Sequence, residues 1–272
     1  MKVVFDIGGT TIRSGLSPDG VSLSECLTIP TDQNFETAMG NFEKIIKKLT
    51  GKNKISMVGG GIAGVLDKSK SGLLRSPNLP KWEGKPLKKS LQEITRASVF
   101  INNDVAMGGL GEATVGAGRR NQIVAYLSVG TGIGGVKVVD GKICPNVWGF
   151  EPGHQIIDVN GKVGYWEEFA GGKALEKIFG KKPEDISDTV IWDQETRLLA
   201  VGIHNVILLW SPEILILGGG IMNKINIRKL ADYVALEMEM FPKLPEIVSG
   251  QLGEKSGLYG ALAYLKDQNP GY

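Results

Sequence analysis

The placement of glycine is the sequence feature that most constrains how this chain folds. The chain has 38 glycines in 272 residues, and many of them follow or lie inside apolar segments. Four such clusters are VVFDIGGTTIRSGL at the start, MVGGGIAGVLD (57–67), VAYLSVGTGIGGVKVVDGKI (124–143) and EILILGGGIM (213–222). Each pattern predicts a strand that ends in a tight turn with exposed backbone.

The segment SVGTGIGG (128–135) satisfies G-x-G-x-x-G, but the residues after it argue against a dinucleotide fingerprint. That fingerprint opens a helix, whose N-terminus holds the pyrophosphate. Here the chain continues as VKVVDGKI, a valine-rich segment with a turn signal at Asp140-Gly141, which predicts a second strand. The first cluster behaves in the same way, because VVFDIGG continues as TTIRSGL. The chain therefore contains two strand–glycine turn–strand hairpins, which indicates two duplicated halves.

Helical patterns lie between the predicted strands. They are FETAMGNFEKIIKKL (35–49), LKKSLQEIT (87–95), TRLLAVGIHNVILLW (196–210) and SGLYGALAYLKDQ (256–268). The first of these places its apolar residues on one helical face. Alternating strands and helices predict an α/β fold.

Composition excludes several classes of protein. The formal net charge is +2, which gives no electrostatic reason to expect a nucleic acid or membrane partner. The chain has two widely separated cysteines, Cys26 and Cys144, which suits a reducing compartment. The apolar run at the N-terminus is too short for a signal peptide, and the longest apolar run, VILLW (206–210), is too short to span a membrane. We expect a cytoplasmic protein.

The glycine hairpins favour phosphate binding. Successive N–H groups in such a turn form a concavity for phosphate oxygens. A plain hairpin is the better interpretation of one such loop, but two matched loops and the GGG at 218–220 together favour nucleotide binding. Few cations lie near these turns, Arg13 and Lys137 among them. We therefore expect Mg²⁺, held through water by Asp6, although Asp6 could instead cap its own turn.

Asp104 follows a short apolar strand, VFI, and precedes a helix of small residues. A carboxylate there could cap the helix or act as a general base, and the local string alone favours capping.

A third polar group lies in WGFEPGHQIID and YWEEFAGG. Glu151, His154, Glu167 and Glu168, with aromatic residues beside them, could together bind a polyol. Each glutamate alone would be interpreted as a surface charge, and His154 alone as a structural hydrogen-bonding residue.

In order, these motifs resemble the ROK family of sugar kinases, within the actin-like ATPase superfamily. The resemblance rests on DIGGT (6–10) with Arg13, Asn103-Asp104, SVGTGIGG (128–135), EPGH (151–154), LGGG (217–220) and SPNLPKWEGKPL (76–87), and runs from Met1 to the final helix. It implies a two-lobed, ribonuclease H-like α/β fold with duplicated mixed sheets and a cleft between the lobes. The implied smaller lobe is 1–117 plus 257–272, and the larger lobe is 118–256. A homodimer is expected by analogy with the family.

The resemblance also implies a reaction, the ATP-dependent phosphorylation of a hexose or hexosamine hydroxyl, usually at C6. Asp104 matches the catalytic base. The implied sugar-binding residues are Gly64, Asn78, Asn103, Glu151, His154 and Glu167. The implied nucleotide-binding residues are Asp6, Gly8, Gly9, Thr10, Thr11, Arg13, Gly130, Thr131, Gly132, Gly134, Gly218, Gly219 and Gly220.

One departure from the family concerns zinc. Many members carry a cysteine-rich zinc loop after the E-x-G-H motif, whereas here that interval is QIIDVNGKVGYW. Structural zinc needs about four N or S ligands. The chain has two cysteines and two histidines in all, none of them neighbours, so we expect no zinc. His154 would then be held by other partners.

Two alternatives stay open. A kinase of this fold could act on a non-sugar alcohol or acid. A sugar-responsive regulator is the other, but such regulators add an N-terminal DNA-binding domain, and here the first hairpin begins at Val3.

Overall fold

The computed structural model describes residues 1–236 and 238–268. The strands are β1 Lys2–Ile7, β2 Thr11–Ser17, β3 Glu25–Pro30, β4 Met57–Ile62, β5 Val65–Leu66, β6 Leu73–Arg75, β7 Ser98–Asn103, β8 Ile123–Val129, β9 Ile133–Val139, β10 Lys142–Ile143, β11 Ile156–Val159, β12 Lys162–Tyr165, β13 Ile214–Gly218 and β14 Glu246–Ser249. The α-helices are α1 Phe35–Thr50, α2 Leu87–Thr95, α3 Asp104–Thr114, α4 Trp166–Phe169, α5 Gly172–Phe179, α6 Thr189–Trp210, α7 Ile227–Leu236 and α8 Ser256–Asp267.

The chain divides into two compact units. The first contains Met1–Gly116, Pro145–Gly149 and the described residues from Glu254 onward, and the second contains Ala117–Cys144 and Phe150–Gly253. The two lobes expected from the family resemblance stay a prediction. Residues 237 and 269–272 of these lobes lie outside the described residues.

The first unit is built on a five-stranded sheet in the order β3-β2-β1-β4-β7. Strands β1, β2 and β3 are antiparallel neighbours, whereas β1, β4 and β7 run parallel. The apolar residues of β1 are fully buried, with α1 and α2 contributing to one core cluster and α8 to another. The carboxyl ends of three parallel strands therefore lie side by side at one edge of this sheet.

The second unit repeats this plan with the order β10-β9-β8-β13-β14. Its first three strands are again antiparallel, and β8, β13 and β14 are parallel. Helix α6 packs its apolar residues against this sheet. The matching strand orders confirm the predicted duplication of a mixed sheet.

Helix α1 shows why the sequence could predict this helix, whereas α4, α5 and α7 were not predicted. Asn34 caps its N-terminus by accepting a hydrogen bond from Thr37 N at 2.9 Å, and Gly51 ends it at φ 57°. All seven apolar residues of the predicted face are buried, and they are Phe35, Ala38, Met39, Phe42, Ile45, Ile46 and Leu49. Helix α6, by contrast, begins seven residues before the predicted start, because Asp188 supplies its cap by accepting from Val190 N at 2.8 Å.

One glycine cluster differs from the prediction. The glycines at 59–61 lie inside β4 and not in a turn. They are needed for close packing, since a Cβ at Gly60 would overlap the ring of Phe5 and one at Gly59 would lie 2.6 Å from Leu265 Cγ. Helices α3 and α8 also approach closely, because a Cβ at Gly260 would overlap the carbonyl oxygen of Met107.

The interval after the E-x-G-H motif forms a β-hairpin, β11–β12. Its turn residues, Asn160 and Gly161, both have positive φ (54° and 80°), as in the two-residue turns that suit strand twist. Among the helices of the described chain, none is both long and apolar enough to cross a membrane.

Candidate active site

The first glycine turn joins β1 to β2. Gly8 N donates to Thr11 O at 2.9 Å, and the carbonyl of Gly8 accepts from the Thr31 hydroxyl at 2.8 Å. The amide of Gln33 donates to Gly9 O at 3.2 Å. Because all three hydrogen bonds use backbone atoms of residues 8–11, the turn has a fixed shape.

Asn78 lies against this first turn. A Cβ added to Gly9 would lie 2.7 Å from Asn78 Cβ, so only glycine allows this approach. The loop that carries Asn78 is held from inside by Ser76, whose hydroxyl donates to Ala63 O at 2.6 Å and whose N–H donates to Glu83 at 2.8 Å. The structure thus places a predicted sugar-binding residue beside a predicted phosphate-binding turn.

Asp6 lies near the end of β1, with its side chain one-fifth exposed. Burial raises the pKa of its carboxyl group to about 6, and the Arg13 guanidinium, 3.9 Å away, opposes that effect. Arg13 also bonds Thr11 at 3.2 Å and Glu254 at 3.0 Å. The charge of Arg13 is therefore shared among these partners.

The chemistry of Asp6 fits a hydrated magnesium ion. Mg²⁺ prefers oxygen ligands, keeps several waters, and uses one or two carboxylates together with substrate phosphates. Across residues 1–236 and 238–268, no three His, Cys, Asp or Glu side chains group closely enough to hold a metal by themselves. One carboxylate at the turn suits water-mediated contact with a metal that phosphates also bind.

Asn103 and Asp104 lie at the junction of β7 and α3. Asn103 is the N-cap residue, since its side-chain oxygen accepts from Ala106 N at 3.0 Å. Its amide nitrogen donates to Gly64 O at 3.1 Å. Asp104 is the first helical residue, so the expectation that Asp104 is the cap is wrong. Asn103 takes that role because its extended backbone aims its side chain at the helix amides.

Strand register brings the first group together. In the parallel ladder Asp6 is level with Gly61, and Gly61 is level with Asn102. A Cβ at Gly61 would lie 2.7 Å from the Asp104 Cα, so glycine in β4 lets α3 begin close to the sheet. Asp6 and Asp104 therefore occupy the same edge of the sheet, separated by the end of β4. Ligands of open α/β sheets bind at such edges.

The second glycine turn joins β8 to β9. Gly130 N donates to Gly132 O at 3.0 Å. The start of α5 supports the turn, because Gly172 N donates to Gly130 O at 2.8 Å and Lys173 N donates to Thr131 O at 2.9 Å. A Cβ at Gly130 would meet nothing within 4 Å, so open space borders the turn there. Gly134, also predicted here, lies in β9 opposite Ser128.

The glycines at 218–220 reach the same edge of the second sheet, because Gly218 pairs with Ser128. Gly219 has a φ of 92° and lies against the backbone of Val129. Gly220 borders open space. Gly218, where a Cβ would overlap the side chain of Tyr126, and Gly219 therefore have a packing reason as well, whereas Gly220 does not.

Glu151, His154 and Glu167 converge within the second unit. His154 Nδ1 lies 3.5 Å from Glu151 Oε2, and its Nε2 lies 3.9 Å from Glu167 Oε1. The ring of Tyr165 packs edge-on against the imidazole, with 5.0 Å between centroids. Burial raises the pKa of the Glu151 carboxyl group, an effect that the His154 imidazole opposes and the Glu167 carboxylate reinforces. Three of the four predicted polyol-binding side chains thus form one partly exposed cluster, whereas Glu168 instead accepts from Tyr165 N at 3.1 Å at the start of α4.

Sequence reasoning missed residues that support the site. Glu195 accepts from Gly171 N at 2.7 Å, next to the second turn, and Gln33 bonds the first turn. Glu195 could have been noticed, because it lies on the apolar face of α6 between Trp192 and Leu199. A lone carboxylate on such a face is unusual.

Comparison with known proteins identifies the family. A family model described as the ROK family matches residues 3–268. The chain belongs to the ROK family. An uncharacterized protein of Clostridium perfringens is 32% identical over 80% of this chain and 81% of its own length. The glucokinase of Thermotoga maritima is 29% identical over 97% of this chain and 96% of its own.

Among solved structures, the ROK hexokinase from Thermus thermophilus superposes with a TM-score of 0.84 at 26% identity, covering 98% of this chain and 99% of its own. The predicted family, the actin-like two-lobed fold class and the sugar-kinase class of enzyme are thereby confirmed. The roles of individual site residues stay predictions.

Proposed function

We propose that this ROK protein transfers the γ-phosphoryl group of ATP to a hydroxyl of a hexose or hexosamine, at C6. The observation that carries the proposal is the position of Asp104 at the carboxyl edge of the sheet, on the first turn of a helix that Asn103 already caps. The carboxylate is not required as the cap.

Asp104 acts as the general base. Its carboxylate takes the proton of the sugar hydroxyl as that oxygen forms a bond to the γ-phosphorus, and the bond from this phosphorus to the β,γ-bridging oxygen breaks to release ADP. Phosphoryl transfer leaves little covalent chemistry to the protein, so positioning and charge neutralisation carry most of the catalysis.

The sugar is bound by side chains that can accept hydrogen bonds from its hydroxyls and donate hydrogen bonds to them. Glu151 and Glu167 accept, and His154, held between them, either accepts or donates. Asn78 and Asn103 add amide groups. The carbonyl oxygen of Gly64 accepts from the Asn103 amide, and because Gly64 has no side chain the sugar can approach the backbone there. Relatives that are glucokinases support a sugar as the acceptor.

The nucleotide phosphates are bound by the two glycine turns. Residues 8–11 and 130–132 supply backbone donors, with Arg13 beside the first turn and Gly218–Gly220 toward the adenosine. The carboxylate of Asp6, at the end of β1, would hold the hydration shell of a Mg²⁺ ion, and that ion would neutralise phosphate charge.

The test is a panel of hexoses, acylhexosamines and non-sugar alcohols, assayed for ADP release with Mg²⁺ and ATP. The product of the best acceptor is then examined by ³¹P–¹H NMR to find the phosphorylated oxygen. Sugar-dependent ADP release with phosphate on O6 is expected. Turnover with non-sugar acceptors alone would contradict the proposal of a sugar substrate and would assign that class of acceptor instead.

The role of Asp104 is tested with Asp104→Asn. Loss of the base is expected to lower kcat by about 10²–10⁴-fold, with sugar binding retained. Asp188→Asn is the matched control, because Asn caps a helix as well as Asp does and Asp188 caps α6. Wild-type turnover in Asp104→Asn would remove Asp104 from the mechanism.

A further inference from the structure

Glu195 is a buried carboxyl group that the proposed reaction does not use. It is 1% exposed and lies within α6, among residues of the second core cluster. Its Oε1 accepts from Gly171 N at 2.7 Å, and its Oε2 has no hydrogen-bond partner within the described residues. A buried carboxyl group carries a large desolvation cost, so its single strong hydrogen bond calls for an explanation.

Gly171 begins a segment of three consecutive amides that all donate hydrogen bonds. Gly171 N donates to Glu195, Gly172 N donates to Gly130 O, and Lys173 N donates to Thr131 O. Gly171 has a φ of 94°, a conformation that L-residues rarely adopt. The segment therefore has little freedom, and two of its three hydrogen bonds link it directly to the second glycine turn.

Close packing reinforces the connection. A Cβ at Gly172 would lie 2.8 Å from Gly130 O, so the segment contacts the turn backbone to backbone. Because no side chain lies between the two backbones, we expect a displacement of Gly171 to displace Gly130 and Thr131 as well.

We infer that Glu195 is a positioning residue for nucleotide binding: by anchoring Gly171 it fixes the 171–173 segment, and through it the phosphate-binding turn at 130–132. The nucleotide part of this inference rests on the proposed function. The anchoring part concerns the turn alone and holds without it.

Burial raises the pKa of Glu195 to about 7, and the bond from Gly171 opposes this effect. The hydrogen bond needs only an acceptor at Oε1, which an uncharged amide also provides. Glu195→Gln therefore keeps the anchor, whereas Glu195→Leu fills the site with an apolar side chain and removes the acceptor. Comparing the two separates the anchor from the packing.

The experiment measures binding of Mg²⁺ and a non-hydrolysable ATP analogue by calorimetry, with sugar affinity measured in parallel. Glu195→Leu is expected to weaken binding of the analogue about tenfold, which corresponds to one lost hydrogen bond of about 1.4 kcal/mol. Glu195→Gln is expected to stay near wild type, and sugar affinity to change little in either. Glu176→Gln, an exposed residue of α5, is the control.

A second readout is amide hydrogen exchange at 171–173 and 130–132. Faster exchange in Glu195→Leu, with protection kept in Glu195→Gln, supports the anchor. Unchanged exchange and unchanged affinity in Glu195→Leu overturn the inference. Equal losses of sugar and nucleotide affinity also overturn it, because they indicate a structural role only. If the wild-type protein binds no ATP analogue, the proposed function fails, and the exchange data alone decide the anchoring.

Discussion

The backbone N–H of Ile133 donates a hydrogen bond to Oε2 of Glu167 at 3.0 Å. The other oxygen of the same carboxylate faces His154. A side chain proposed to bind sugar is thus bonded to the backbone just after a turn proposed to bind phosphate. If this bond couples the two ligands, each must change the affinity for the other by the same factor.

Gly132→Ala tests this relationship. The added Cβ would lie 2.6 Å from Glu167 Oε2, so the carboxylate must move. We expect the affinities for sugar and nucleotide both to fall, each by about tenfold. Gly130→Ala, in the same turn, meets nothing within 4 Å and is expected to weaken nucleotide binding alone. Calorimetry with each ligand checks both variants, and an unchanged sugar affinity in Gly132→Ala contradicts the coupling.

The raised pKa of Asp6 predicts a pH-dependent stability. Its folded-state pKa, about 6, exceeds the usual value of 3.8, so the folded protein binds this proton more tightly than the unfolded chain. The stabilisation is fully present below about pH 4 and is lost as pH rises through 6. Asp6→Asn should therefore stabilise the protein by about 2 kcal/mol at pH 7.5 and by little at pH 4.

Urea denaturation at the two pH values measures this difference. The same variant is expected to raise the Mg²⁺ concentration needed for half-maximal turnover. Equal free-energy differences at both pH values would show that Asp6 is not the titrating group.

Gly260→Ala is expected to lower the free energy of unfolding by about 3 kcal/mol. The added methyl group would overlap the Met107 carbonyl, a backbone atom that cannot rotate away. Gly40→Ala, within α1, is the matched control, because a Cβ there meets nothing within 4 Å. That change should stabilise the protein by about 0.5–1 kcal/mol. Thermal and urea denaturation of both variants give the comparison, and a neutral Gly260→Ala would mean that α3 and α8 can separate.

The support of His154 is tested by removing the ring of Tyr165. Tyr165→Ala is expected to raise the KM for sugar several-fold with a smaller effect on kcat, because the edge-on contact helps to fix the imidazole. Tyr165→Phe keeps the ring and should behave as wild type.

Elemental analysis of the purified protein is expected to find much less than one zinc per chain. Stoichiometric zinc, or activity that zinc restores after chelation, would contradict the expectation of a zinc-free site.

Local patterns sufficed for much of the fold. The two glycine hairpins, the face and caps of α1 and the position of α2 follow from the types and spacing of neighbouring residues. The glycines at 59–61 show the limit, because their string resembles a turn while their reason is contact with Phe5 and Leu265. Such contacts join distant parts of the chain, and no local pattern records them.

The candidate site divides in the same way. Asn103-Asp104 was found as a pair, but which residue caps α3 depends on the backbone direction at the end of β7. Glu195 acts through Gly171, a glycine 24 residues away in the chain, so its role is visible only once the bond is seen.

Helix α8 has a consequence for biosynthesis. Its residues Leu258, Leu262 and Leu265 pack with Val4 of β1, and Leu265 lies against Gly59 of β4, although more than 190 residues separate β4 from α8 in the sequence. During translation the first sheet leaves the ribosome long before this cover is made. One face of this sheet therefore stays exposed, to chaperones or to non-native partners, until α8 has been synthesised.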